Sequence, residues 1–153
     1  MTEIERIRDQ LRRAHEGEAW HGPALEEVLK GVTAETAAQR SLGGAHTIWE
    51  IVVHIGVWES VVRRRLSGEV VRNVPPEQDW PPVTDTAPEA WQRALDEVRR
   101  GHELLQQTIA RLTDRQLEED VPGMGYNGYV MLHGAVQHAI YHAGQIALLK
   151  KAA

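Results

Sequence analysis

Cysteine is absent from the 153 residues, and with it go disulfides, thiolate zinc sites, iron–sulfur clusters and a cysteine nucleophile. Any metal must therefore sit on His, Asp or Glu. Phenylalanine is absent too, so the large apolar aromatic surface comes from five Trp. Basic charge is in deficit: Lys+Arg 17 stand against Asp+Glu 22, a formal charge of −5. A chain without basic excess lacks the electrostatic footprint for tracking phosphates, and nucleic acid is not expected as a partner. No apolar run approaches the roughly 18 residues of a membrane span. The opening MTEIERIRDQLRR is charged and amphipathic, unlike a signal peptide. These absences set the expectation of a soluble, cytoplasmic protein with no membrane partner. Also missing are GxSxG, a Walker A loop, GxGxxG after a strand and HExxH, which leaves serine-hydrolase, P-loop and Rossmann readings nothing to stand on. What is present, 42% hydrophobic residues over this length, suits one domain spanning residues 1–153.

Breakers divide the chain into four apolar-periodic segments, and no run alternates as a strand does, so the expected class is all-α. Segment one spans about Thr2 to Lys30, with Ile4, Ile7, Leu11 and Ala14 on one stripe, and reads as a helix broken at Gly17, Gly22 and Pro23. Segment two follows Gly43 and Gly44; Thr47 stands three residues before Glu50, a capping-box pattern, and the apolar period runs on to about Ser67. Between residues 68 and 86, Pro75, Pro76, Pro81 and Pro82 surround Trp80, which argues against helix and central strand and for a long ordered connection or lid. Such a stretch reaches on the order of 60 Å, enough for segments two and three to run parallel. Segment three starts near Pro88 and ends by Asp114; segment four runs from about Tyr129 to Lys150. The simplest architecture is a four-helix bundle with long crossover connections, a fold that builds metal sites between facing helices.

His138 and His142 are four residues apart on segment four, so both imidazoles share one helix face and suit two ligands of one cation. His133 is rotated off that face. His54 lies inside IVVHIGVW, the most apolar helix, where an unpaired imidazole is costly. Two readings stay open for it: a neutral core histidine bonded to a carbonyl or carboxylate, or a third ligand completing an open three-nitrogen site. Glu50 and Trp58 each lie one turn from His54. Glu50 has a simpler duty in the capping box, with general base as its second reading; Trp58, like Trp20, is a candidate wall of a small apolar pocket. His21, at the Gly22–Pro23 break, is either a surface histidine or a contact at the bundle mouth. Gln145 shares the face of His138 and His142 and can orient a ligand histidine. His46 reads as a helix-terminus residue, and His15 and His102, on heavily charged segments, as solvated.

Four stretches carry a resemblance: WHGPALEEVL, HTIWEIVVHIGVWE, DW in the proline connection, and HAIYHAGQIALLK. Together they resemble the DinB/YfiT-like family over nearly the whole chain, most specifically in a distant His followed by HxxxHxGQ. The resemblance implies a four-helix bundle with an unusual connection order, often dimeric, holding a divalent metal, typically zinc or nickel, through three histidines. Residue by residue, that triad falls on His54, His138 and His142. The chain departs from the HHRGQ-like pattern of many members: it reads YHAGQ, with Tyr141 and Ala143. Activities implied by the family are thiol-dependent, namely S-transfer with low-molecular-weight thiols such as bacillithiol, and mycothiol-dependent isomerisation. The expectation is thus a metal-dependent enzyme, a thiol S-transferase or a hydrolase, acting as a homodimer on a small molecule, with a low-molecular-weight thiol as cosubstrate. His21 and Glu50 are the candidate proton carriers, and His21, Trp58, Tyr141 and Gln145 line or support the site. The alternatives are a non-catalytic metal- or ligand-binding bundle with a stress-related role, and a structural protein whose histidines are core residues.

Overall fold

Thr2 opens the first helix, α1 (Glu3–His15), with a capping box: its hydroxyl accepts from the Glu5 amide while the Glu5 carboxylate accepts from the Thr2 amide. Two amide donors that a helix start leaves unpaired are satisfied in this way. In the computed structural model, which describes residues 1–153, the same device starts α4 (Ile48–Leu66), where Thr47 and Glu50 exchange the two bonds. Helix α6 (Pro88–Ile109) begins on a proline, which has no amide to leave unpaired. Helix α8 (Gly128–Ala152) is capped by the Asn127 side chain. Four short helices occupy the connections: α2 (Leu25–Leu29), α3 (Ala34–Ala38), α5 (Pro76–Asp79) and α7 (Asp114–Leu117). The fold is all-α, as the periodicity implies.

Two buried clusters show how the long helices run. In one, Ile51, Val52 and Ile55 of α4 meet Trp91 and Val98 of α6 and Ala143, Ile146 and Leu149 of α8. In the other, Val62 of α4 meets Leu105 and Ile109 of α6, Leu132 and Val136 of α8, and Ile4, Ile7 and Leu11 of α1. The first halves of α4 and α6 share one end of the bundle and their second halves the other, so these two helices are parallel. Helix α8 runs against them. Helix α1 also opposes α6: the Ile4 amide bonds Asp114 beyond the α6 C-terminus, while Arg8 bonds Gln106 one layer in. Around the bundle the order is α1, α6, α4, α8, and the parallel α4–α6 pair is joined by the proline-containing crossover.

Helix α1, at 13 residues against 22 for α6, stops short of one end of the bundle. Its termination is local: Glu18 has φ 63 and Gly22 φ 131, conformations a helix cannot contain. Segment one is therefore two helices separated by an irregular turn, and α2 and α3 fill the space beyond it against α8 and α4. Lys150 near the end of α8 donates to the Val28 and Lys30 carbonyls at 2.8 and 3.0 Å, pairing the exit of α2.

Leu105 is 0% exposed in the second cluster and is not among the residues lining the cavity described below. Leu105→Ala is expected to lower the unfolding free energy by about 2–5 kcal/mol in urea denaturation. A loss well below about 1 kcal/mol would show that this layer is not close-packed.

Candidate metal centre

Because α4 and α8 are antiparallel neighbours, His54 in the first half of α4 meets His138 and His142 at the middle of α8. The His138 Nε2 lies 3.1 Å from the Nε2 of His54 and 3.1 Å from the Nε2 of His142. Their outer nitrogens are occupied. His54 Nδ1 is 2.9 Å from Asp79 Oδ1 and 3.0 Å from the Asp79 carbonyl. His142 Nδ1 is 2.6 Å from Gln145 Oε1. Those oxygens accept, so Nδ1 carries the proton in both rings and Nε2 presents a lone pair in the neutral imidazole. A proton on His138 Nε2 can serve only one of its two neighbours and leaves the lone pair of the other without a donor; without that proton, both contacts set lone pair against lone pair. A shared cation resolves all three at once. Two ligands about 2.0–2.1 Å from a tetrahedral ion are roughly 3.3 Å apart, close to the spacing found.

Charge on the rings themselves is disfavoured. Burial, then the nearby His142 and His54, push His138 down to about 3, from an ordinary value of 6.5. Burial is also the main cause that lowers His54 and His142, against the opposing pull of Asp79 on the first and Gln145 on the second. Neutral imidazole is the form that ligates a metal.

The proline connection supplies much of the support. Asp79, the last residue of α5, also accepts from Trp58 Nε1 at 2.7 Å, so one carboxylate oxygen holds both His54 and Trp58. Trp80 stacks on His54 at 3.8 Å, with the planes 5° apart, and on His46 at 3.5 Å. Prolines on both sides of this turn restrict the loose chain and lower the entropic cost of holding it here. The stretch is thus not free of helix as expected: Pro76 starts one turn, where its missing amide costs nothing.

A cavity of about 500 Å³ opens from the triad along α4 and α8, walled mainly by Ile55, Trp58, Val62, Met131 and Ala139, with Tyr141 at its rim. Trp58 and Tyr141 line it, and Gln145 holds His142. His21 is exposed and is not part of this wall. Glu50 is engaged in the capping box, with Arg40 at 2.8 Å and His46 at 3.2 Å, and lies outside the cavity. Trp20, expected as a wall, is 101% exposed because it sits in the turn that ends α1.

Three residues that sequence reading passed over meet at the side of this cavity. His15 of α1, Glu59 of α4 and His102 of α6 are 3%, 5% and 4% exposed, which corrects the reading of both histidines as solvated. His15 Nε2 is 2.9 Å and His102 Nδ1 3.5 Å from Glu59 Oε1. Burial pushes the Glu59 carboxyl up, but the adjacent His15 and His102 outweigh it and hold it below the usual carboxylate value. The ligand atoms lie within 4.8 Å of one another, yet the imidazoles stack at 3.9 Å with planes 16° apart. Near-parallel stacked rings keep their in-plane lone pairs in separate, nearly parallel planes, whereas ligands of one ion converge. The cluster suits sharing a proton better than holding an ion. His15 and Glu59 line the cavity that the triad opens into.

The chain belongs to the DinB superfamily, whose family model matches residues 19–146. No curated protein and no solved structure matches it. The matched span contains the triad, Asp79 and Gln145, while α1 with His15 lies before it. No helix is long and apolar enough to cross a membrane.

The triad gives the metal-free protein a pH-dependent stability of definite sign. The unfolded chain takes up protons near 6.5, the folded triad only further down, with His138 at about 3. Stability from these groups is whole above 6.5 and is lost as pH falls through that interval. Thermal melts of metal-free protein are expected to drop between pH 7 and pH 4, with a shallower slope for His138→Ala. Equal slopes would contradict the assignment.

Proposed function

We propose that the protein is a metal-dependent enzyme of the thiol S-transferase type, acting on a small molecule. The observation that carries this reading is the convergence of three histidines on an apolar cavity of about 500 Å³, with the His54 and His142 Nε2 atoms each 3.1 Å from His138 Nε2 and both of those rings oriented from behind. His54, His138 and His142 would hold a divalent ion, zinc or nickel by the family resemblance; other divalent metals also accept three imidazoles. Such an ion lowers the pKa of a thiol so that it is a thiolate at neutral pH. The chain has no cysteine, so the thiol comes with a cosubstrate. Asp79 and Gln145 fix the tautomers of His54 and His142, which sets the direction of both lone pairs. The apolar walls exclude water, which competes with a thiol for the electrophile. The His15–Glu59 pair in the cavity wall would take up the proton that a thiol loses and return it to a leaving group, the imidazole as the base and the carboxylate supporting its charge. In this reading a homodimer forms on the face of α8 where Val130, Tyr141 and Leu148 are exposed.

The test is a panel of low-molecular-weight thiols with aryl-halide and epoxide electrophiles, on protein loaded with zinc or nickel. The expected result is a thiol-dependent rate that is lost in His138→Ala and falls about 10²-fold in Glu59→Gln, read as kcat. Full metal loading with no thiol-dependent rate would favour the non-catalytic binding bundle. Turnover of esters without thiol would favour the hydrolase.

A further inference from the structure

Arg65 is a buried cation with no carboxylate beside it. It is 5% exposed and lines the cavity. Its Nε and Nη2 donate to the Val71 carbonyl at 2.9 and 2.7 Å, and its Nη1 donates to the Tyr126 hydroxyl at 2.9 Å. The guanidinium carbon stands 5.7 Å from the Trp58 ring centroid. Every partner is neutral. Taking a guanidinium out of water without a counter-ion is costly, and neutral acceptors recover only part of that cost. A guanidinium has five N–H groups; the three bonds above leave two unused. Pinning Val71 occupies the Nε–Nη2 edge alone, so a role confined to fastening the chain after α4 does not account for the rest.

The position along the helix matters as much as the charge. His54 and Arg65 are eleven residues apart on α4, which sets them within about 20° of one face and separates them by about 16 Å of rise. Trp58 and Val62 lie between them on the cavity wall. An arginine side chain on a helix leans toward the N-terminus and shortens that span.

We propose that Arg65 binds the anionic head of the substrate or of its thiol cosubstrate. The cavity then takes an elongated small molecule with an oxyanion, a carboxylate foremost, gripped by the free guanidinium N–H groups. Its apolar body lies along Trp58 and Val62 and its reacting end reaches the triad. The placement of that reacting end rests on the metal-dependent reading above; the anion site does not.

Mercaptohexanoate and the uncharged mercaptohexanol are titrated into cobalt(II)-loaded protein, with thiolate ligation read from the cobalt absorption. In parallel, hexanoate and hexanol are titrated into metal-free protein by calorimetry. The carboxylate of each pair is expected to bind at least about tenfold tighter than its alcohol. Arg65→Met is expected to abolish that preference and leave the alcohols unaffected; Arg65→Lys, which keeps the charge without the planar fork, retains part of it. Equal affinity of acid and alcohol for the wild-type protein in both titrations overturns the proposal, and that comparison does not depend on any variant folding. An undiminished preference in folded Arg65→Met overturns it as well. A hexanoate preference with no cobalt–thiolate band would leave the anion site standing and count against the metal–thiol reading. A cobalt–thiolate band without carboxylate preference would do the reverse.

Discussion

Two imidazole nitrogens, on His54 and His142, each brought to 3.1 Å from a third on His138 pose a problem that protons do not solve, because the outer two rings already spend theirs on Asp79 and Gln145. Charging the rings would relieve the lone-pair contact only by creating like charges in a desolvated site, and burial opposes that for all three. The arrangement is frustrated without a cation at its centre, and its three nitrogens could hold one. Much of the remaining architecture serves to hold this cluster in place. The antiparallel α4–α8 pair presents the rings to one another, and the crossover between the parallel α4 and α6 is long enough to cover the site. It also carries the carboxylate that orients His54.

The crossover therefore joins topology to chemistry. Parallel neighbours need a long connection, and here the connection is used: Asp79 fastens His54 and Trp58 together, and Trp80 lies flat against His54. Trp58 is in turn within cation–π reach of Arg65. Contacts thus extend from the triad along the cavity to the guanidinium. On the side of the cavity, Glu59 and His15 both act electrostatically on His138, the carboxylate raising its pKa and the imidazole lowering it. The two polar clusters are coupled, with α4 contributing His54 to one and Glu59 to the other.

Features that depend on local rules were legible in the sequence. The Thr47–Glu50 capping box, the helix start at Pro88, the length of the proline connection and the shared face of His138 and His142 follow from spacing and backbone preference, and each has its counterpart in the structure. His54 was legible for a different reason: an imidazole in so apolar a helix needs a partner. What could not be read depends on where separate elements end up. His15 and His102 sit among charged neighbours and become buried only because the last turn of α1 stops against α6 and α4. Arg65, within an RRR run, is set apart from Arg63 and Arg64 by helix phase and by the return of the chain to Val71. Asp79 had a trace in the DW pair of the proline connection, but its role depends on a loop conformation that periodicity does not encode. Trp20 was assigned to a wall because large aromatics are few, and composition says nothing of direction.

Metal content bears most directly on the three-histidine centre. Protein purified without an affinity tag, then reconstituted with zinc or nickel, can be assayed by elemental analysis alongside His54→Ala, His138→Ala and His142→Ala. About one ion per chain in the wild type, lost in every variant, is the outcome that follows from the geometry. Full occupancy in His54→Ala, or no metal in reconstituted wild-type protein, would contradict it and return these histidines to the core.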